Sequence, residues 1–241
     1  MRKKFKVAVI GAGNMASAHL KVFNKIKQEV IMGLYDDKPE PKQEVEQTTT
    51  DDSVSVAMAM EFPFRLLEWG IDAESNIIYL SDEITEHTLP EMIQKFRTVL
   101  RFNDPSEEKK PINLMINCLG GDLISTLGII DYINSLDRPV NTICRGGAMS
   151  AAAVILTCGT GKRYMSPNST VMFHEGSMME MGRVTDVKNS IKWSEVLLEK
   201  IYGLLADKTK EDAEFWKKTL QADTYLTAEE CIKLGVIDEI I

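Results

Sequence analysis

Ser150 lies in the run Thr-Ile-Cys-Arg-Gly-Gly-Ala-Met-Ser-Ala-Ala-Ala-Val-Ile-Leu (142–156), where a glycine pair leads a serine into the first turn of an apolar helix. The N–H groups of a helix start are unpaired and carry partial positive charge. They favour an alkoxide, and the oxyanion that forms when it attacks a carbonyl. The same position suits a serine that only caps its helix, and for the serine alone that commoner role is preferred. A hydroxyl becomes a useful nucleophile only when a base takes its proton and a third group orients the base.

The chain has three histidines, so the search for a base is short. His19 falls in an N-terminal helix beside a glycine-rich turn, and His87 in the polar stretch Asp-Glu-Ile-Thr-Glu-His-Thr. His174 ends the β-type run Ser-Thr-Val-Met-Phe-His (169–174) and is followed by Glu175-Gly176, which presents it to a cleft. An edge histidine satisfied by solvent is the plainer reading of the same residue. For the orienting acid the best candidate is Asp223, in Gln-Ala-Asp-Thr-Tyr-Leu-Thr-Ala-Glu-Glu-Cys. It precedes Thr227, a predicted helix N-cap with Glu230 three residues on, the capping-box pattern. An ordinary loop aspartate fits there as well.

A fourth segment, Pro-Ile-Asn-Leu-Met-Ile-Asn-Cys-Leu-Gly-Gly-Asp (111–122), runs from an apolar strand into Gly120-Gly121 and a helix capped by Asp122. Glycine lets a ligand approach the backbone closely, and a helix start exposes N–H groups. The N–H of Gly121, with that of Ala151, could therefore form an oxyanion hole. A plain strand-to-helix turn is the simpler reading of a lone Gly-Gly.

Taken in order, these blocks resemble the ClpP family, the proteolytic subunits of Clp ATP-dependent proteases. The resemblance runs from about Phe62 to Ile241. It rests on Ile-Asn-Cys-Leu-Gly-Gly (116–121), Gly-Gly-Ala-Met-Ser (146–150), Gly-Lys-Arg-Tyr-Met-Ser-Pro-Asn-Ser-Thr-Val-Met-Phe-His (161–174), and Asp-Thr-Tyr-Leu-Thr-Ala-Glu-Glu with Gly-Val-Ile-Asp (223–238). Matched residue by residue, it implies Ser150 as nucleophile, His174 as general base and acid, Asp223 as orienting carboxylate, and Gly121 and Ala151 at the oxyanion hole. It also implies a cytoplasmic serine endopeptidase that assembles as two stacked seven-membered rings, a tetradecamer. An AAA+ unfoldase of the ClpX or ClpA type would feed it unfolded protein. The chain departs from the family at Cys118-Leu119, where Ser-Pro is usual, and at Ala151, where Met is usual. It departs again at Glu175-Gly176-Ser177-Met178-Met179-Glu180, which replaces Gln-Pro and a glycine-rich substrate-binding strand. Two related readings remain: a phage-type head-maturation protease with the same triad and no ATPase, and a crotonase-type acyl-CoA enzyme sharing the spiral and the oxyanion turn.

Strands and helices must alternate to hold these residues. Strands are predicted over 76–80, 112–117, 140–144, 162–164, 170–174 and 236–241. Helices are predicted over 89–102, 122–136, from Ser150, over 185–206, and from Thr227 to Gly235. This order predicts an α/β fold of stacked parallel βαβ units. It agrees with the ClpP/crotonase-like spiral that the resemblance implies. The helix over 185–206 carries Val187, Ile191, Val196, Leu197, Ile201, Leu204 and Leu205, with Trp193 on another face. It reads as an amphipathic core helix, or, by resemblance, as a handle that meets its counterpart in an opposing ring.

Residues 1–37 are different. Lys6-Val-Ala-Val-Ile-Gly11-Ala-Gly13-Asn-Met-Ala16, then a helix, then a strand ending at Asp36-Asp37, resemble the opening of a Gfo/Idh-type Rossmann domain. The stretch 38–61 is polar and proline-bearing, a linker where further βαβ units would be needed. A lone β-α-β fragment makes a marginal core, so no NAD and no other cofactor is expected. The domain plan is therefore a Rossmann-like fragment (1–37), a linker (38–61) and a peptidase-like domain (62–241).

Composition excludes other classes. A net charge of −8 argues against a nucleic-acid-binding surface. No apolar run is long enough to span a membrane. The basic start Arg2-Lys3-Lys4 is followed by a polar helix, so no signal peptide is expected. Cysteines 118, 144, 158 and 231 have neither Cys-x-x-Cys nor metal-site spacing. They read as small core residues in a reducing compartment, with no metal site.

Overall fold

The computed structural model of the protein describes residues 68–102 and 110–241. The expected fragment 1–37 and the linker 38–61 lie outside the described residues. In chain order the elements are β1 (Ile71–Asp72), β2 (Ile77–Leu80), α1 (Thr88–Phe102), β3 (Ile112–Cys118), α2 (Leu123–Ser135), β4 (Val140–Met149) and α3 (Ala151–Thr157). They continue with β5 (Arg163–Met165), β6 (Thr170–Phe173), α4 (Val184–Lys208), α5 (Ala213–Thr219), β7 (Thr224–Leu226), α6 (Ala228–Leu234) and β8 (Glu239–Ile240).

The main path of the sheet runs β1-β2-β3-β4-β5-β8, with β6 attached to β4 and β7 to β6. The pairings β2–β3, β3–β4, β4–β5, β4–β6 and β5–β8 are parallel, as expected of βαβ units, while β1–β2 and β6–β7 are antiparallel. This is the α/β spiral of the ClpP-like fold. Ile112, Leu114, Ile116 and Cys118 alternate along β3 onto one buried face. Met92, Phe96 and Val99 of α1 and Ile129, Ile130 and Ile133 of α2 are buried as well, and the two helices meet where Phe96 tilts on Tyr132 at 5.7 Å. All seven residues of α3 are buried, which its Ala-Ala-Ala start allows by giving neighbouring strands close approach.

Several local expectations hold in detail. Asp122 caps α2 by accepting from the Ser125 N–H at 2.7 Å. Thr227 and Glu230 form the reciprocal capping box of α6, and Gly235 ends that helix in the left-handed conformation at φ 79°.

Others differ. Gly146-Gly147 is not a turn before the serine but lies inside β4, which runs on to Met149. The helix α5, capped by Asp212, was not expected from the charged sequence around it, and it buries Trp216 completely. The strand expected over 236–241 is reduced to Glu239–Ile240, because the N–H groups of Val236 and Ile237 donate back to the Cys231 carbonyl at the end of α6.

Arg163 is the polar tie of this region. It forks onto both Asp238 oxygens, at 3.2 and 2.6 Å, and its Nη1 donates to the carbonyls of Thr157, Lys208 and Gly235. One side chain thus closes the C-terminal ends of α3, α4 and α6. Burial alone would raise the Asp238 carboxyl, but the Arg163 side-chain and backbone hydrogen bonds outweigh it and hold it below its ordinary 3.8. A depressed folded-state pKa contributes stability that is present above the ordinary value and lost as pH falls through the folded one. Asp238→Asn is expected to cost about 2 kcal/mol at pH 7 in urea unfolding. The difference from wild type should shrink as the pH drops below about 4; a pH-independent difference would contradict this.

Candidate active site

Ser150 is the residue between β4 and α3, held at φ 53° and ψ −124°. For a residue with a Cβ this is a sparsely populated conformation, worth roughly 1–3 kcal/mol of strain that the surroundings must impose. Both sides impose it. The Ser150 N–H donates to the Met172 carbonyl of β6 at 2.7 Å, and its own carbonyl accepts from Ala153 at 3.0 Å to start the helix. Ala148 and Ala152, two residues to either side, are fully buried, and larger side chains there would crowd so sharp a strand-to-helix turn.

Ser150 occupies the N-cap position, yet its side chain makes no capping hydrogen bond. Its Oγ lies instead 2.8 Å from His174 Nε2. The helix-capping role that was preferred for the serine alone is therefore not the one its side chain plays.

His174 follows β6 directly. β6 runs parallel to β4 with Met149 opposite Met172, and antiparallel to β7 with Phe173 opposite Thr224. One step beyond each pair are Ser150, His174 and Asp223, so the three residues stand at one end of three adjacent strands. His174 Nδ1 is 3.3 Å from Asp223 Oδ1. The imidazole therefore bridges hydroxyl and carboxylate through opposite ring nitrogens, and the carboxylate favours the tautomer that leaves Nε2 free to accept a proton. His87 pairs only with its neighbour Glu86 at 3.8 Å, exposed and away from this arrangement. His19 is outside the described residues.

The unexpected helix α5 supports the imidazole from beneath. Phe173 packs on Trp216 at 5.0 Å, and the Trp216 indole N–H donates to Thr209 Oγ1 at 2.8 Å. The Glu175 N–H donates to the Leu220 carbonyl at the end of α5, at 2.6 Å. Phe215-Trp216, shortly after the capping Asp212, is the available signal for this helix, masked by the charged residues on both sides.

The Gly120-Gly121 turn approaches the same point. Ile84 bridges it, donating to the Gly120 carbonyl at 2.8 Å and accepting from the Asp122 N–H at 2.7 Å. In a parallel bridge of this pattern the central residue directs its own N–H to the other side, so that of Gly121 points away from Ile84. Ala151 begins α3, where first-turn N–H groups have no intrahelical acceptor. The two backbones are nearly in contact: a Cβ on Gly120 would lie 2.6 Å from the Met149 carbonyl oxygen, 2.8 Å from Ser150 Cβ and 3.0 Å from Ala151 N. The Gly120-Gly121 turn and the start of α3, which carry the two N–H groups expected at an oxyanion hole, thus lie side by side next to Ser150.

Cys118 lies beneath this turn, accepting from the Gly120 N–H at 3.3 Å and donating to the Asp82 carbonyl at 3.0 Å. Burial raises its thiol above the ordinary value, so it is protonated at neutral pH and serves as a hydrogen-bonding spacer. Cys144, Cys158 and Cys231 are also buried and free, with thiols pushed by burial up to about 11, 12 and 12. Leu119, where proline is usual, is 77% exposed at the rim of the turn.

A strand-to-helix serine facing a carboxylate-bridged histidine, beside a glycine turn and a helix start, is the arrangement of an α/β serine hydrolase. The family model for Clp protease matches residues 71–241. The chain belongs to the Clp protease family and is a ClpP-type serine peptidase, which removes the acyl-CoA alternative. The match begins nine residues after Phe62, where the resemblance was judged to start.

Because a Cβ at Gly120 would push directly on Ser150 and Ala151, Gly120→Ala is expected to lower kcat for a short peptide about a hundredfold. Circular dichroism should show the fold retained. Unaltered turnover would contradict this tight approach.

Proposed function

We propose that Ser150, His174 and Asp223 are the catalytic triad of an endopeptidase, with the N–H groups of Gly121 and Ala151 as its oxyanion hole. The observation carrying this reading is the bridging imidazole, 2.8 Å from the Ser150 hydroxyl and 3.3 Å from the Asp223 carboxylate. Ser150 Oγ attacks the peptide carbonyl carbon while its proton passes to His174 Nε2. The carbonyl oxygen becomes an oxyanion held by the two N–H groups, and Asp223 stabilises the imidazolium through Nδ1–H. The intermediate collapses, the C–N bond breaks, and Nε2 returns the proton to the leaving amine. Water then attacks the acyl-enzyme, giving its proton to Nε2. The second collapse releases the carboxylic acid and reprotonates Ser150.

The peptidase acts inside a homo-oligomeric chamber of two stacked heptameric rings. The support is α4, whose first thirteen residues (184–196) include none that is buried, about 20 Å of helix. Along that length Val184, Ile191, Trp193 and Val196 are exposed, Trp193 by 53%, whereas Leu197, Ile201 and Leu205 dock the other half into the core. Exposed apolar side chains around a half-helix free of the core suit a handle contacting its counterpart in the opposing ring. An AAA+ unfoldase of the ClpX or ClpA type feeds unfolded protein to the chamber. Four free buried cysteines suit a reducing compartment such as the cytoplasm, and among the described residues no helix is long and apolar enough to cross a membrane.

Ser150→Ala should abolish cleavage of a fluorogenic peptide while leaving the assembly mass unchanged by light scattering. Asp223→Asn should lower kcat by about 10²–10⁴-fold. Full activity in the alanine variant would sink the triad. Degradation of a folded substrate should require the unfoldase and ATP; equal degradation without them would favour an ATPase-independent maturation protease.

A further inference from the structure

β4 changes partners along its length. It pairs with β5 through Cys144 and with β6 from Gly147, and its register against β3 slips between Ile116–Cys144 and Cys118–Ala148. One residue of β3, Asn117, thus faces three of β4, Arg145 to Gly147, a bulge that bends the strand toward His174. Gly146 sits in the bulge at φ 99°.

A bulge takes backbone N–H groups out of the ladder, and buried or half-buried ones need other acceptors. Two side chains supply them. Ser169 Oγ accepts from the Gly146 N–H at 2.9 Å, and Asn117 Oδ1 accepts from the Gly147 N–H at 3.0 Å. The fit at Asn117 is close enough that a Cβ on Gly146 would collide with its Oδ1. Asn117 is on the exposed face of β3, three residues before Gly120. Gly147 is on β4, three residues before Ser150. One hydrogen bond therefore ties the strand that ends in the oxyanion turn to the strand that ends in the nucleophile.

We infer that Asn117 is a positioning residue for peptide hydrolysis. Its carbonyl oxygen fixes the β4 bulge so that Ser150 Oγ and the Gly121 and Ala151 N–H groups converge on one substrate carbonyl. It touches no reacting atom, and the inference rests on Ser150 being the nucleophile. Removing the acceptor lets the bulge relax by a fraction of an ångström, enough to misalign attack without unfolding an otherwise intact sheet. An aspartate in its place keeps an acceptor oxygen at the same reach.

The test uses the full assembled chain with Asn117→Ala, Asn117→Leu and Asn117→Asp, beside wild type and Ser150→Ala. Steady-state kinetics on a short fluorogenic peptide and the rate of fluorophosphonate labelling are read for each. Asn117→Ala and Asn117→Leu should lower kcat and the labelling rate together by about ten- to a hundredfold, with KM within about twofold. Asn117→Asp should stay within about threefold of wild type. The inference is overturned if kcat is unchanged in Ala and Leu, if only KM moves, if Asp fails as badly as Ala, or if Ala and Leu both fail to fold. Should Ser150→Ala itself remain active, the triad is wrong. Should that variant be dead while Asn117→Ala matches wild type, only the role of Asn117 fails.

Discussion

The partner exchange of β4 at Gly146 is the constraint on which the site depends. A straight β4 would continue beside β5 and end far from β6. The bent strand instead lays Ala148 and Met149 beside Val171 and Met172, and the next residue is Ser150. From there the register of β6 with β7 does the rest, since Phe173 opposite Thr224 brings His174 level with Asp223. The alignment of hydroxyl, imidazole and carboxylate is a consequence of two strand registers and one bulge. None of the three side chains needs a long reach.

The strain at Ser150 is held from both sides. Ser150 at φ 53° cannot relax, because its N–H is held by Met172 and its carbonyl by the first turn of a completely buried helix. The same constraint turns the hydroxyl away from the capping position and toward His174. Serine chemistry and helix capping compete for one oxygen, and the backbone geometry decides between them. Support from below comes from Trp216, buried and hydrogen-bonded, whose ring carries Phe173 and so the base that follows it.

Much of this was legible in the sequence because it is local. The apolar strand 112–117, the Asp122 cap, the Thr227–Glu230 capping box and the Gly235 stop are each encoded within a few residues. The ordered motifs led to Ser150, His174, Asp223 and the Gly120-Gly121 turn, which the fold brings together. What escaped is non-local. Gly146-Gly147 reads as a turn until Asn117 of β3 and Ser169, just before β6, are seen to accept its N–H groups. The charged surroundings of Trp216 hide α5, whose apolar demand is met by a single side chain packed on Phe173. The last strand starts late because the N–H groups of Val236 and Ile237 turn back to the Cys231 carbonyl at the end of α6. Asn117 is one of two asparagines in an otherwise apolar strand, and its meaning depends on the bulge it faces.

The account comes down to whether the bent strand presents Ser150 as an activated nucleophile. Covalent trapping reads this most directly: the intact assembly is treated with a fluorophosphonate, digested, and the phosphonylated residue located by tandem mass spectrometry. A single adduct on Ser150, formed much more slowly when His174 is replaced by alanine, is the predicted result. An adduct on another residue, or labelling of Ser150 at an undiminished rate without His174, would contradict it.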